Sequence, residues 1–257
     1  MKKRHLIWAF LIIAALTCSG NISVHAKKQS KVTMYVITKT SENYNSRRNG
    51  QQYFTYRYSY NKNGVITKII TKHRGGGKSI TTDRYYYTKG GIMEKCSSTF
   101  KDLLDQNGYT LRFRYLHDPK GRIIETGTDD DSTVFKYNKS SQCAKMKMTF
   151  AKAVKYSYNK KGLMTKAGTT KLAYDKHHML RSMKYSNGEK GTFKNIYKNG
   201  RLKKVEGASG YTRSHYSYKY KKIRVARKYK PFIKAQQRWI LLNTVVDEYP
   251  PLEACFR

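Results

Sequence analysis

Tyr156-Ser157-Tyr158-Asn159-Lys160-Lys161-Gly162-Leu163-Met164 is the stretch that decides the fold. An aromatic residue, any residue and a Tyr lead into a short Lys-rich turn that closes on Gly, and two apolar residues follow. The same order stands at Tyr58-Ser59-Tyr60-Asn61-Lys62-Asn63-Gly64-Val65-Ile66 and at Tyr85-Tyr86-Tyr87-Thr88-Lys89-Gly90-Gly91-Ile92-Met93. Looser copies are Phe113-Arg114-Tyr115 with Asp118-Pro119-Lys120-Gly121 and Ile123, Phe135-Lys136-Tyr137-Asn138-Lys139, and Leu172-Ala173-Tyr174-Asp175. Asn195-Ile196-Tyr197-Lys198-Asn199-Gly200 and a degenerate Tyr216-Ser217-Tyr218-Lys219-Tyr220 complete the set. Eight copies, roughly 16 to 28 residues apart, mean one small unit stacked on copies of itself.

Each copy reads as a β-hairpin. Side chains alternate along a strand, so the two rings of aromatic-x-Tyr share one face. Asn or Asp ahead of Lys and Gly is turn chemistry, because the Asx side chain bonds the backbone and Gly accepts a positive φ. The returning strand carries apolar residues two and five places beyond the Gly, the latter being Ile69, Cys96, Ala167 and Val205. Those two places have opposite parity, which predicts a bulge or twist beside the turn. Single hairpins are marginal, so neighbouring units must pair. The expected architecture is all-β: consecutive antiparallel hairpins in one long twisted sheet, open or partly closed, with a short C-terminal helix.

Composition fits this reading. The chain has 257 residues, 23 Tyr, 18 Gly and a formal charge of +37. Aromatic content of 13% argues against disorder. Between Ser132 and Val246 there are 29 Lys or Arg against three acids. Lysines keep exposed sheet faces soluble, but mixed charges would do that equally well, so an excess this one-sided implies an anionic partner. Met1 to Ala26 has a basic start, an apolar run from Leu6 to Leu16 and small or apolar residues before Lys27, which predicts a secretory signal peptide. That run falls short of the ~20 apolar residues needed to span a bilayer. Cys18, after the bulky Thr17, is the residue a lipid anchor would use. The expected divisions are the signal peptide at 1–26, a strand and loop at 27–52 with Val32 to Thr38 as strand, the hairpin array at 53–230, and a helical cap and tail at 231–257.

The repeat resembles the tyrosine–aspartate (YD) repeats, related to the Rhs family, of secreted and surface proteins of bacteria. That family's core is aromatic-x-Tyr-Asp-x-x-Gly-Arg-Leu. Asp118, Gly121, Arg122 and Ile123 match it in one unit, and Asn199-Gly200-Arg201-Leu202 matches in part. The resemblance covers roughly Tyr53 to Val225, and most copies depart from it by using Asn-Lys in place of Asp. It implies hairpins winding into a long sheet and no catalytic activity.

Beyond the array, Phe232, Ala235, Trp239, Leu242 and Val246 recur at helical spacing, predicting a helix that covers the last unit, with Leu252 to Arg257 frayed after Pro250-Pro251. No enzyme, cofactor or metal site is legible. His177-His178 lacks further ligands nearby, Asp129-Asp130-Asp131 lacks the spacing of calcium loops, and Arg74-Gly75-Gly76-Gly77-Lys78-Ser79 has Lys72 where a phosphate loop needs its first Gly. Cys96 and Cys143 either bridge or stay as buried thiols. The expected function is a secreted, cell-wall-associated, non-enzymatic protein binding an anionic polymer such as teichoic acid, an acidic polysaccharide or, less specifically, nucleic acid. Candidate binding cations are Lys160, Lys161, Lys203, Lys204, Lys219, Lys221, Lys222, Arg224, Arg227 and Lys228. Candidate stacking rings are Tyr156, Tyr158, Tyr216 and Tyr218. The alternative is a structural or adhesive repeat protein with no specific ligand.

Overall fold

Strand and reversal alternate from Lys31 to Ala226. The computed structural model describes residues 30–46, 50–89, 91–210, 212–243, 246 and 250–255, and the expected signal peptide with Cys18 lies outside them. The strands are β1 (Lys31–Ser46), β2 (Gly50–Tyr60), β3 (Ile66–Arg74), β4 (Lys78–Tyr87), β5 (Met93–Asp102) and β6 (Gly108–His117). Next come β7 (Ile123–Gly127), β8 (Ser132–Tyr137), β9 (Cys143–Met148), β10 (Val154–Tyr158) and β11 (Met164–Ala167). The series ends with β12 (Thr170–Tyr174), β13 (Leu180–Lys184), β14 (Lys190–Lys198), β15 (Arg201–Ser209) and β16 (Thr212–Ala226). A 3-10 turn at Arg227–Tyr229 leads into helix α1 (Lys230–Asn243).

The predicted hairpins form, and the turn chemistry works as expected. Asn61 Oδ1 accepts from the amides of Asn63 and Val65, Asn159 Oδ1 from Lys161 and Leu163, and Asp118 Oδ1 from Lys120 and Arg122. One oxygen suffices for this, which is why Asn and Asp interchange between copies. In the one Asp-x-x-Gly-Arg copy the second oxygen also binds Arg122, with Nε at 2.6 Å. Ser141 and His178 take the place of the Gly and still hold φ at 56° and 64°. A side chain is strained there, so Ser141→Gly and His178→Gly should each stabilise the protein by ~0.5–1 kcal/mol in urea unfolding.

Bulges lie beside the turns, as the apolar spacing predicts. Pairing shifts register between Ser59 and Tyr60, Tyr86 and Tyr87, Leu116 and His117, Lys136 and Tyr137, Ser157 and Tyr158, Ala173 and Tyr174, and Ile196 and Tyr197. The extra residue lets Ile66 and Ile69, or Met164 and Ala167, point to the same buried side. These shifts also correct two alignments. The third unit's structural pair is Tyr115 and His117 rather than Phe113 and Tyr115, and β16 runs on through Tyr220 without a turn. In five units an aromatic then knits neighbours together: Tyr60, Tyr87, Tyr137, Tyr158 and Tyr220 donate their hydroxyls to the carbonyls of Ile37, Ile66, Ile123, Cys143 and Leu202, while Tyr197 donates to Asp175. Tyr87→Phe and Tyr158→Phe should each cost about 1 kcal/mol, read from the shift in the unfolding midpoint.

The expected open or partly closed sheet is overturned. All sixteen strands form a closed antiparallel barrel in sequence order, sealed where β1 pairs with β16. Register there runs from Lys31 opposite Ala226 to Asn45 opposite Arg213. The repeat spacing describes each neighbour contact, which is the same in an open and a closed sheet. Closure needs the non-repeat strand β1, which is longer than the Val32 to Thr38 stretch expected. Closure pairs the first strand with the last and so reduces free strand edge, the usual liability of a sheet, to segments such as the β1 and β16 ribbon that outrun their neighbours.

The repeat turns lie at one end of the barrel, with the ribbon of β1 and β16 rising past them. α1 plugs that end. Gln236 Oε1 accepts from the Ile66 amide at 2.8 Å and Gln237 Oε1 from the Ile37 amide at 2.6 Å, while Arg238 donates to the Gly162 carbonyl at 3.3 Å. Ile66 and Gly162 stand on opposite sides of the strand ring. The buried face of α1 is Ile233, Gln236, Trp239, Ile240 and Leu242, rotated slightly from the expected stripe because Gln236 turns inward to serve Ile66. The tail is not frayed through Cys255: Leu252–Cys255 forms a 3-10 turn, Leu252 and Ala254 are buried, and the Trp239 indole donates to the Pro250 carbonyl at 3.2 Å. Cys96 and Cys143 are buried thiols that form no disulfide, and burial pushes Cys143 up to about 12.

Candidate functional site

A closed sheet has an inside and an outside, and residue parity assigns the side chains to each. The buried rings Tyr58, Tyr85, Tyr115, Phe135, Tyr156, Tyr216 and Tyr218 fill the inside with α1. Three of the four expected stacking rings, Tyr156, Tyr216 and Tyr218, are therefore buried, and Tyr158 is half-buried with its hydroxyl on Cys143. They hold the barrel together and present no open face to a polymer. The exposed rings are others: Tyr35, Tyr53, Tyr86, Tyr109 and Phe150. Arg201 lies 4.2 Å from the Tyr35 ring centre and Lys95 lies 5.2 Å from that of Tyr86.

The ten expected cations are all exposed. Lys203, Lys204, Lys219, Lys221, Lys222, Arg224, Arg227 and Lys228 gather along β15, β16 and the 3-10 turn, whereas Lys160 and Lys161 stand apart on the turn between β10 and β11.

Sequence reasoning missed a more continuous feature on the outer wall. Lys136 pairs with Lys145, and Lys145 with Lys155. One strand further, Lys166 pairs with Lys171 and Lys171 with Lys184. The six lysines form a ladder in two runs of three across β8 to β13, offset where Lys166 faces Ser157, on strands that contain no Asp or Glu. Adjacent strands are ~4.8 Å apart, and like charges directly opposite one another destabilise a sheet. Elsewhere Lys39 sits between Arg57 and Lys219, and Lys68 faces Arg84. A second outward site lies on β2 to β4, a hollow of 570 Å³ where Tyr53 stands beside Lys72, Arg74 and Lys78. The signal for both was present as Lys next to a buried residue, but it needed the inward parity of each strand.

Lipid is a poor environment for such a wall. A Lys at the middle of a lipid-facing strand costs about 2–4 kcal/mol, and membrane barrels carry an apolar band there. Five of the six lysines are exposed, and Lys145 is half-buried. No helix among the described residues is long and apolar enough to cross a membrane.

The inside opens at the end opposite the repeat turns, where a cavity of 640 Å³ is lined by Glu42, Phe54, Met183, Phe193 and Tyr216 among others. Glu42 faces Phe54 on β2 and Tyr216 on β16 across the register. Burial raises its carboxyl to about 7, against the opposing effect of the Tyr56 hydroxyl at 3.3 Å and that of Tyr216. A carboxyl raised on folding stabilises the protein below the unfolded value near 4.5, and that contribution is lost as pH rises through about 7. Glu42→Gln should therefore flatten the decline in stability between pH 4.5 and 7, a change on the order of 2 kcal/mol, measurable by urea unfolding across that range. Among the described residues no group of His, Cys, Asp and Glu is placed to hold a metal ion. Asp129 pairs instead with Arg114 at 2.9 Å, and His177 packs on Tyr197.

No family model and no curated protein matches the chain. Solved structures similar to it include the TcdB2-TccC3-Cdc42 complex, at 14% identity and a TM-score of 0.30 over 62% of this chain. This chain spans only 10% of the length of that one. A porin-like protein from Bacteroides uniformis is similar at 12% identity and a TM-score of 0.36, over 72% of this chain and 98% of that one.

Proposed function

We propose that this is a secreted, non-enzymatic protein that binds an anionic polymer along the outer wall of its barrel. The observation that carries this reading is the cross-strand lysine ladder from Lys136 to Lys184. Placing like charges directly opposite one another in four cross-strand pairs weakens the folded state, and an anionic chain wrapped across the strands would relieve it. Such a polymer, with repeated phosphates or carboxylates, gains affinity mainly by releasing counterions, so binding falls steeply with salt. Tyr53 and Tyr86, exposed beside cations, supply ring faces for sugars or bases. Pairing of the first strand with the last leaves fewer strand edges to template the self-assembly that the structural alternative needs.

The test is retention of the protein on teichoic acid, a polyuronate, DNA and neutral dextran at two salt concentrations. The proposal requires retention on the charged polymers at low salt, loss at high salt and none on dextran. Equal retention on dextran would overturn it.

A further inference from the structure

The interior cavity contradicts the charge of the rest of the molecule. Among the described residues fourteen line it and none of these is Lys or Arg, in a chain where 53 of 257 are. Two are carboxylates. Glu42 lies on the floor between the Tyr56 and Tyr216 hydroxyls, and Glu189 lies at the rim, held by the Ser209 hydroxyl at 3.2 Å. The walls between them are aromatic: Tyr44, Phe54, Tyr185, Phe193 and Tyr216. Glycine makes room for these rings. A Cβ on Gly207 would come within 3.0 Å of the Phe193 ring and 2.7 Å of the Ser214 hydroxyl.

We propose that this cavity binds a small organic ammonium ion, with its charge against Glu42 and its alkyl groups against the surrounding rings. Aromatic faces attract a desolvated cation, and boxes of such rings are the usual receptors for alkylated ammonium groups. A volume of 640 Å³ lies within the common range for small-molecule sites. Among the described residues no basic side chain lines the cavity beside the half-buried Glu42, so a bound cation would supply a countercharge there. An anion would meet two carboxylates and, among the described lining residues, no cation. The charges and rings also exclude any overlap with the outer lysine ladder, which lies on the other face of the sheet.

Titration calorimetry of the whole protein tests this with choline, with dimethylbutanol as its uncharged carbon isostere, and with glucose. Choline should bind and dimethylbutanol should bind at least tenfold more weakly. Glu42→Gln should weaken choline at least tenfold. Glu189→Gln, exposed at the rim and unable to disturb the core, should weaken it severalfold, which keeps the test open if the Glu42 variant fails to fold. Lys145→Glu should leave choline binding unchanged. Equal binding of choline and its isostere, binding of glucose alone, no binding of choline, or indifference to both Glu substitutions would each overturn the proposal.

Discussion

Changing Lys145 and Lys171 together to Glu will weaken binding to an anionic polymer and stabilise the barrel in the same variant. Lys145 stands between Lys136 and Lys155, and Lys171 between Lys166 and Lys184, so four repulsive neighbours become attractive ones. At about 0.3–0.5 kcal/mol per exposed pair the gain is ~1–2 kcal/mol at low salt, and it shrinks as the charges are screened. Two of six contacts are lost and two repulsive charges added, so affinity for a polyphosphate or polyuronate should fall by at least tenfold. Urea midpoints at two salt concentrations and a binding titration read the two effects. A purely structural lysine face would show the stability gain alone, with no loss of binding, and that outcome would remove the functional reading.

Ending the chain after Tyr229 should abolish cooperative folding. This deletes α1 and the tail, with Ile233, Trp239, Ile240, Leu242 and Leu252 all buried. At about 1.5–3 kcal/mol each, their loss approaches the whole stability of an ordinary domain. The pattern of the loss is more telling than its size. A cap on the last unit of an open array would release only its neighbours when removed. A plug across a closed barrel touches Ile37 and Ile66 on one side and Gly162 on the other. Hydrogen exchange should therefore show protection falling together at the amides of Ile37, Ile66 and Leu163. Protection lost only near β15 and β16 would count against the plug.

The turns show where sequence suffices. Asn61, Asn159 and Asp118 act within four residues of themselves, so their role is written in the local order. The bulges were legible for the same reason, from the parity of two apolar places. The stacking rings show where it fails. Tyr156, Tyr216 and Tyr218 share a face by alternation, but nothing local says whether that face meets water or the core. Glu42 and Glu189 are more distant still: 147 residues separate them in the chain, and only the ring of strands brings both to one cavity.

The chain by itself determined the hairpin, its bulge, its turn residues and the basic balance, because each depends on contacts within about twenty residues or on simple counting. The closed ring, the inward side, the lysine ladder and the acidic cavity were decided only in three dimensions. Pairing the first strand with the last converts one sheet face into an interior, and every residue's role as wall, filling or binding surface follows from that single long-range contact.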